Sequence, residues 1–258
     1  MKDFMKLASE AARQAGKVLR EGLGKRKRIE YKGEINLVTE IDRRAERVIT
    51  KLIRASYPEH AILAEEGEGK EGRSGYKWII DPLDGTTNYA HNYPCFCSSI
   101  ALEQEGEVIL GVVFDPLRDE LFSAEKGKGA YLNGKRISVS SIGKLIRSLL
   151  ATGFTYDIKR DQRNLKHFRN FILSSQAVRR DGSAALDLCY LGAGRFDGFW
   201  ELKLSAWDVA AGALIVEEAG GRVTDFRGRE FSIYSKEILA SNGRIHQAMV
   251  KVLQRSDD

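Results

Sequence analysis

The stretch Trp78–Pro94, WIIDPLDGTTNYAHNYP, places an apolar run directly against a carboxylate, then a proline, a second carboxylate, a glycine and two threonines. The run Trp78-Ile79-Ile80 predicts a buried strand. Asp81 ends it, and Pro82, which has no N–H for a sheet ladder, stops the pairing there. Asp84-Gly85 then predicts a tight turn, and Gly85, Thr86 and Thr87 open a short helix whose backbone N–H groups can hold an anion. An Asp-x-x-Asp turn can aim both carboxylates into one small volume. Such a gathering is costly unless a cation compensates it. Hard oxygen ligands suit Mg²⁺, which keeps several waters and binds alongside substrate phosphate. Acids for a metal beside amides for a phosphate imply metal-assisted phosphoester chemistry.

Three rival readings are tested by the letters themselves. An EF-hand loop starting at Asp81 requires an oxygen side chain at its third position and Glu at its twelfth; Leu83 and Asn92 stand there. A covalent aspartyl-phosphate enzyme requires two aspartates two apart, and here the spacing is three. A Walker loop is excluded because no Gly-Lys-Ser or Gly-Lys-Thr occurs. The plainer reading, a solvent turn capped by Asp, stays open on this stretch alone.

Outward from this stretch the chain reads as two kinds of texture. The first 24 residues carry Phe4, Leu7, Ala8, Ala11, Ala15, Val18 and Leu19 at helical spacing, with charges throughout. That predicts an amphipathic helix ending near Gly22 or Gly24 rather than a signal peptide. A second helix is predicted from Leu37 to Ala55, stopped by Tyr57-Pro58. HAILAEEG, YKWIID, and the two halves of SSIALEQEGEVILGVVFD predict strands, and ELFSAEKGKGAYLNGKRI a further hairpin. After Ser140 the pattern alternates. SLLATG, RFDGFWEL, RVTDF and EILASN predict strands; Arg160–Leu173, AALDLCYLGAG, WDVAAGALIVEEAGG and Gly243–Leu253 predict helices. The expected organisation is α+β, one compact unit with an N-terminal α+β part (1–140) packed on a C-terminal α/β part (141–258). A site is expected in the cleft between them.

Composition bounds the setting. The 258 residues, 43% hydrophobic and 30% charged, suffice for a large core. No apolar run approaches a membrane span, so a cytoplasmic protein is expected. Three cysteines make no disulfide framework, and Cys95 and Cys97 read as small strand residues. The net charge of +5 permits nucleic acid or an anionic small substrate. The one dense basic run, Gly24–Arg28 (GKRKR), reads as a basic loop.

Two further acidic sites bear on the turn. Glu65 and Glu66 end a predicted strand in AEEG, and Trp207-Asp208 opens a helix in WDVAAG. Alone, Asp208 reads as a helix cap and Glu65 as a strand-end charge. Together with Asp81 and Asp84 they are the parts of a multi-carboxylate metal site.

At this point a resemblance is clear. WIIDPLDGTTNYAH resembles the first signature of the inositol monophosphatase family, Mg²⁺-dependent and lithium-sensitive phosphatases, and WDVAAGALIVEEAGG resembles its second. NLVTEID, ILAEEG and GSAALDLCYLGAGRFDGFWE are similar to three further blocks in the same order. The resemblance implies a layered αβαβα sandwich of the sugar-phosphatase type, usually a homodimer, holding two or three Mg²⁺ ions. It implies that Asp81 bridges metals, that Glu65, Asp84 and Asp208 are further carboxylate ligands, and that the Leu83 carbonyl is a backbone ligand. Thr86 would orient the attacking water with Asp42 holding its hydroxyl, and the Gly85 and Thr86 amides would bind phosphate. Asp84, Gly182, Ser183, Ala184 and Glu201 would line the sugar or inositol side. Two departures stand out. Asn92-Tyr93-Pro94 replaces the family's Gly-Phe-Pro or Gly-Leu-Pro, and Leu204-Ser205-Ala206-Trp207 replaces the residues usual before the second-signature aspartate.

The expected activity is hydrolysis of an inositol monophosphate or related sugar phosphate. Fructose 1,6-bisphosphate is the alternative, with Arg179, Arg180 or Lys203 for a second phosphate. Nucleotide substrates lack a clear adenine-binding block. A role in RNA or transcription complexes, known for some bacterial members, is the alternative of another class.

Overall fold

The computed structural model describes residues 4–25, 29–31, 37–67, 69–155 and 157–255, with the backbone alone for 29–31 and 37–39. The chain runs α1 (Phe4–Gly22), β1 (Ile29–Tyr31), β2 (Leu37–Thr39), α2 (Glu40–Ser56), β3 (Ala61–Ala64), β4 (Tyr76–Asp84), α3 (Thr86–Ala90), β5 (Cys97–Gln104), β6 (Glu107–Asp115), β7 (Glu120–Glu125), β8 (Gly129–Leu132) and β9 (Lys135–Arg136). A 3₁₀ turn at Leu145–Arg147 leads to β10 (Leu149–Thr152), α4 (Arg163–Ile172), β11 (Ala177–Arg179), α5 (Ala184–Gly192), β12 (Gly198–Leu202), α6 (Ala206–Glu218), β13 (Arg222–Thr224), β14 (Glu237–Ser241) and α7 (His246–Leu253).

Strands β3 to β9 form one seven-stranded sheet in chain order, antiparallel except for the parallel β3–β4 pair. The second sheet is five-stranded, ordered β11-β10-β12-β14-β13, and mixed. Helices α1 and α2 cover the outer face of the large sheet; α5 and α6 lie between the sheets; α4 and α7 cover the far side of the small one. The expected αβαβα layering is therefore the observed one.

Three apolar clusters fill the spaces between layers. Helix α6 is apolar all round because both of its faces meet a sheet. Val209, Leu214, Ile215 and Val216 are all buried there, each contributing about 1.5–3 kcal/mol relative to exposure. The helix lies directly on β6: a Cβ at Gly111 would stand 2.8 Å from the Ala211 Cα. A larger residue at either position would lift α6, and Asp208 with it, off the sheet.

Several boundaries differ from those the sequence implied. The segment 37–39 is a strand paired antiparallel with β1, and the helix starts at Glu40. Val38 and Thr39 are β-branched, whereas Glu40 and Asp42 suit a helix N-terminus. The fourth helix begins at Arg163 and the last at His246, each preceded by turns. Strand β11 had no sequence signal; it is three residues long. The three cysteines are free and buried, Cys97 within β5 and Cys95 just before it. Most of the basic run Gly24–Arg28 lies outside the described residues. Among the described residues, no helix is long and apolar enough to cross a membrane.

Candidate active site

The expected end of the strand at Asp81 is corrected by the structure: β4 continues through Pro82 to Asp84. Asp81 pairs with Ser99 and Asp84 with Cys97, so Pro82 and Leu83 oppose Ser98 alone. This is a bulge, and Pro82 is tolerated because it falls in the irregular part of the ladder. In a regular strand, residues three apart face opposite sides. The extra residue restores the parity, and Asp81 and Asp84 share a face. The bulge is pinned by the Leu83 N–H, which donates to Asp81 Oδ1 over 2.9 Å.

Two other elements bring acids to the same point. Strand β3 pairs parallel to β4 with Ala64 opposite Ile80, and the Glu65 N–H extends the pairing to the Ile80 carbonyl at 3.3 Å. Glu65 therefore flanks Asp81. Asp208 is the third residue of α6 and accepts the Ser205 N–H at 2.6 Å. Asp81, Asp84 and Asp208 each offer a carboxylate oxygen, and the three atoms lie within 4.8 Å of one another.

Burial raises all three aspartyl carboxyls, and the neighbouring charges add to it at Asp81 and Asp208. Asp81 is held well above the usual carboxylate range by burial, then by the charges of Glu65, Asp84 and Asp208. Burial pushes Asp84 up to about 6 against donors that favour its charged form. Burial and Asp84 push Asp208 up to about 7. A bound cation would reverse this cost. The donors are all oxygen and mostly anionic, the set that a hard divalent metal takes, so these residues fit one.

The turn after β4 carries the remaining parts. Gly85 sits at φ 97°, and a Cβ there would lie 2.8 Å from the Cys95 carbonyl. Only glycine is unstrained in that position. Thr86, buried at the start of α3, is within hydrogen-bond distance of Asp42 Oδ1 and the Leu83 carbonyl, each at 3.0 Å. Asp42 is fully buried in the first turn of α2.

A cleft of about 430 Å³ opens over these groups. Of the residues the sequence singled out, Glu65, Asp81, Leu83, Asp84, Gly85, Thr86, Gly182, Ser183, Ala184, Glu201 and Asp208 all line it. Asp42 does not; it stands behind Thr86. Glu201 is buried against Gly153, and burial together with Asp208 pushes its carboxyl up to about 8. Of the three cations considered for a second phosphate, Arg180 lines the cleft. Lys203 lines it too, but is paired with Asp157 and Asp161 at 2.7 and 2.9 Å. Arg179 is exposed and donates to the Val178 carbonyl instead.

Two residues escaped the sequence reading. Asp187 lines the cleft, is 1% exposed, and its Oδ1 has no hydrogen-bond partner among the described residues. Its signal was an acid inside the otherwise apolar AALDLCYLG. Glu46 is fully buried and accepts the Glu66 N–H at 2.7 Å, tying α2 to the loop that carries Glu65. Its signal was an acid one turn after Asp42, on the stripe that faces the sheet.

The chain matches the profile of the inositol monophosphatase family over residues 1–258. It belongs to that family. It is 44% identical to an inositol-1-monophosphatase of Synechocystis sp., over 98% of this chain and 89% of that one. It is 42% identical to the Nus factor SuhB of Pseudomonas aeruginosa, over 98% and 97%. The solved inositol monophosphatase of Anabaena superposes with a TM-score of 0.90 at 43% identity, covering 98% of this chain and 96% of that one. As a member of the inositol monophosphatase family, the protein is a phosphoric monoester hydrolase of a metal-dependent kind.

Proposed function

We propose that the protein is a Mg²⁺-dependent phosphomonoesterase that hydrolyses an inositol monophosphate or a related sugar phosphate with water as nucleophile. The observation that carries this reading is the approach of Asp81, Asp84 and Asp208 to within 4.8 Å beside the buried Thr86–Asp42 pair. Glu65, Asp81, Asp84, Asp208 and the Leu83 carbonyl would hold the metal, as two or three ions. Bound Mg²⁺ supplies Lewis-acid polarisation of the phosphoryl group and neutralises charge on the leaving alkoxide.

The chain's own groups do the rest. The Gly85 and Thr86 amides, at the start of α3, bind the phosphoryl oxygens. Asp42 accepts the Thr86 proton, so the Thr86 Oγ1 lone pairs are turned to accept from a water in the cleft and orient it toward phosphorus. Glu201, Gly182 and Ala184 meet the hydroxyl-bearing part of the substrate. Glu201, with its raised pKa, enters either as a donor or as an acceptor near neutral pH. No covalent enzyme intermediate is required.

A phosphate-release screen over inositol 1-phosphate, fructose 1,6-bisphosphate, glycerol phosphate and nucleotides, with and without Mg²⁺, tests the reading. Magnesium-dependent release from an inositol or sugar monophosphate is expected, with inhibition by Li⁺. Silence on every such ester sinks it. Fructose 1,6-bisphosphate remains the second substrate to try, because Arg180 lines the cleft. The SuhB relatives, named Nus factors, favour one reading of another class, association with RNA or transcription complexes. Salt-sensitive RNA binding that survives Asp81→Asn would support it. A homodimer is expected by light scattering.

A further inference from the structure

Ser183 was expected to meet the substrate, yet its hydroxyl is turned toward a different group. It lies at the N-cap of α5, 1% exposed, and donates to Asp84 Oδ2 over 2.7 Å. The same oxygen receives the Ala185 N–H at 2.7 Å. The Cys97 thiol, a weak donor, stands 4.0 Å from Asp84 Oδ2 and 3.6 Å from the Ser183 oxygen. The Leu186 N–H approaches the Ser183 oxygen at 3.4 Å.

The proton count fixes the direction of these bonds. An ionised carboxylate only accepts, and a backbone N–H only donates. The single hydroxyl proton of Ser183 therefore goes to Asp84, and its lone pair faces Leu186. One side chain caps α5 and orients Asp84. Rotating the Asp84 carboxylate would break the Ser183 and Ala185 bonds together. The two anchors come from α5, on the C-terminal side of the cleft, whereas Asp84 ends β4 on the N-terminal side.

We propose that Ser183 is a positioning residue for the metal site: it fixes the Asp84 carboxylate before any substrate arrives, so that the wall expected to contact the sugar also sets metal affinity. This rests on the reading of Asp84 as a metal ligand. Groups that orient a ligand from behind typically contribute about 10–100-fold in affinity or activity. A residue that only touched substrate would leave the metal affinity of the substrate-free protein unchanged.

The test is Mn²⁺ binding to the full chain without substrate, read as the free-ion signal in electron paramagnetic resonance. Ser183→Ala should weaken binding ~10–100-fold, and Ser183→Thr, which keeps the hydroxyl, should restore it. Ser183→Gly separates positioning from folding, because glycine is itself a good N-cap residue and leaves helix stability almost unchanged. It should bind Mn²⁺ as weakly as Ser183→Ala while melting close to wild type. Wild-type affinity in Ser183→Gly, with only KM for the phosphate ester raised, overturns the proposal. Failure of the wild type itself to bind Mn²⁺ would instead remove the metal reading, and the proposal with it.

Discussion

Thr86 Oγ1 lies 3.0 Å from Asp42 Oδ1, across 44 residues of sequence and between two elements, α3 and α2. Both groups are buried. An acceptor-only carboxylate behind a hydroxyl leaves that hydroxyl's lone pairs turned outward. Thr86→Ala should therefore lower kcat by ~10²–10⁴-fold, the range for positioned proton-handling groups. Substrate affinity should change little, because the backbone amide remains. Asp42→Asn should act similarly, and the double variant should be little worse than either, because the pair works as one unit. Additive, few-fold losses in the kcat cycle would mean that the pair does not orient the nucleophile.

Asp81 stands where burial and three neighbouring acids all oppose its charge. Asp81→Asn keeps the oxygen that accepts the Leu83 N–H while removing one of the crowded charges. In chelator, where carboxylates repel, the variant should melt higher than wild type. A gain of ~1 kcal/mol corresponds to ~2–4 °C for a chain of this size. With Mg²⁺ the order should reverse, because the wild type gains more from the ion, and phosphatase activity should fall below detection. Thermal scans in chelator and in Mg²⁺, beside phosphate release, decide this. Near wild-type turnover would remove Asp81 from the metal site.

How far the sequence carried the reading can be seen at β4. Its letters gave a buried strand with acids at its end, and hence a site. They did not give the bulge, because Pro82 reads as a stop unless the partner strand is known to run past it. Register is a property of two strands, and only the pairing with Ser99 and Cys97 shows that Asp81 and Asp84 share a face. Helix α2 illustrates the same limit: Leu37–Thr39 fits a helical apolar stripe until β1 offers it a partner. Ser183 was placed at the cleft by resemblance, but the direction of one hydroxyl depends on what stands opposite. Asp187 shows the converse, a visible signal that the sequence reading passed over: an acid in an apolar helix had to be either paired or placed at the cleft.

Arg180 and Lys203 should differ in their effect on a second phosphate. Lys203 is held by Asp157 and Asp161, so releasing it to a ligand costs two ion pairs. Burial raises the carboxyls of Glu201 and Asp187, and the Arg180 charge at the cleft partly offsets that rise. Arg180→Ala should raise KM for fructose 1,6-bisphosphate about tenfold or more, as expected for a charge-assisted contact of ~1.5–3 kcal/mol, and disturb inositol 1-phosphate less. Lys203→Ala should separate the two esters little. Equal effects of Arg180→Ala on both would assign it to the shared part of the substrate.

The small sheet carries a pH-sensitive group of its own. His246, fully buried at the start of α7, lies 2.8 Å from both Thr224 Oγ1 and Ser241 Oγ. Thr224 already donates its proton to the Asp225 carbonyl at 2.7 Å, so it accepts from Nε2–H. Nδ1 is then the acceptor for Ser241, and protonating it would displace that bond. Burial, with the Arg222 charge, pushes His246 down to about 4. Because this lies below the unfolded value near 6.5, the unfolded chain binds the proton first as pH falls. The stability that His246 contributes is thus present above about pH 6.5 and is lost between there and about 4. His246→Gln removes the titration and keeps a polar side chain. The melting advantage of wild type over this variant should shrink as pH is lowered from 7 to 4. Other groups titrate in both proteins and cancel in the difference. An advantage that stays constant or grows toward pH 4 would mean that the imidazole is not held neutral by Ser241 and its burial.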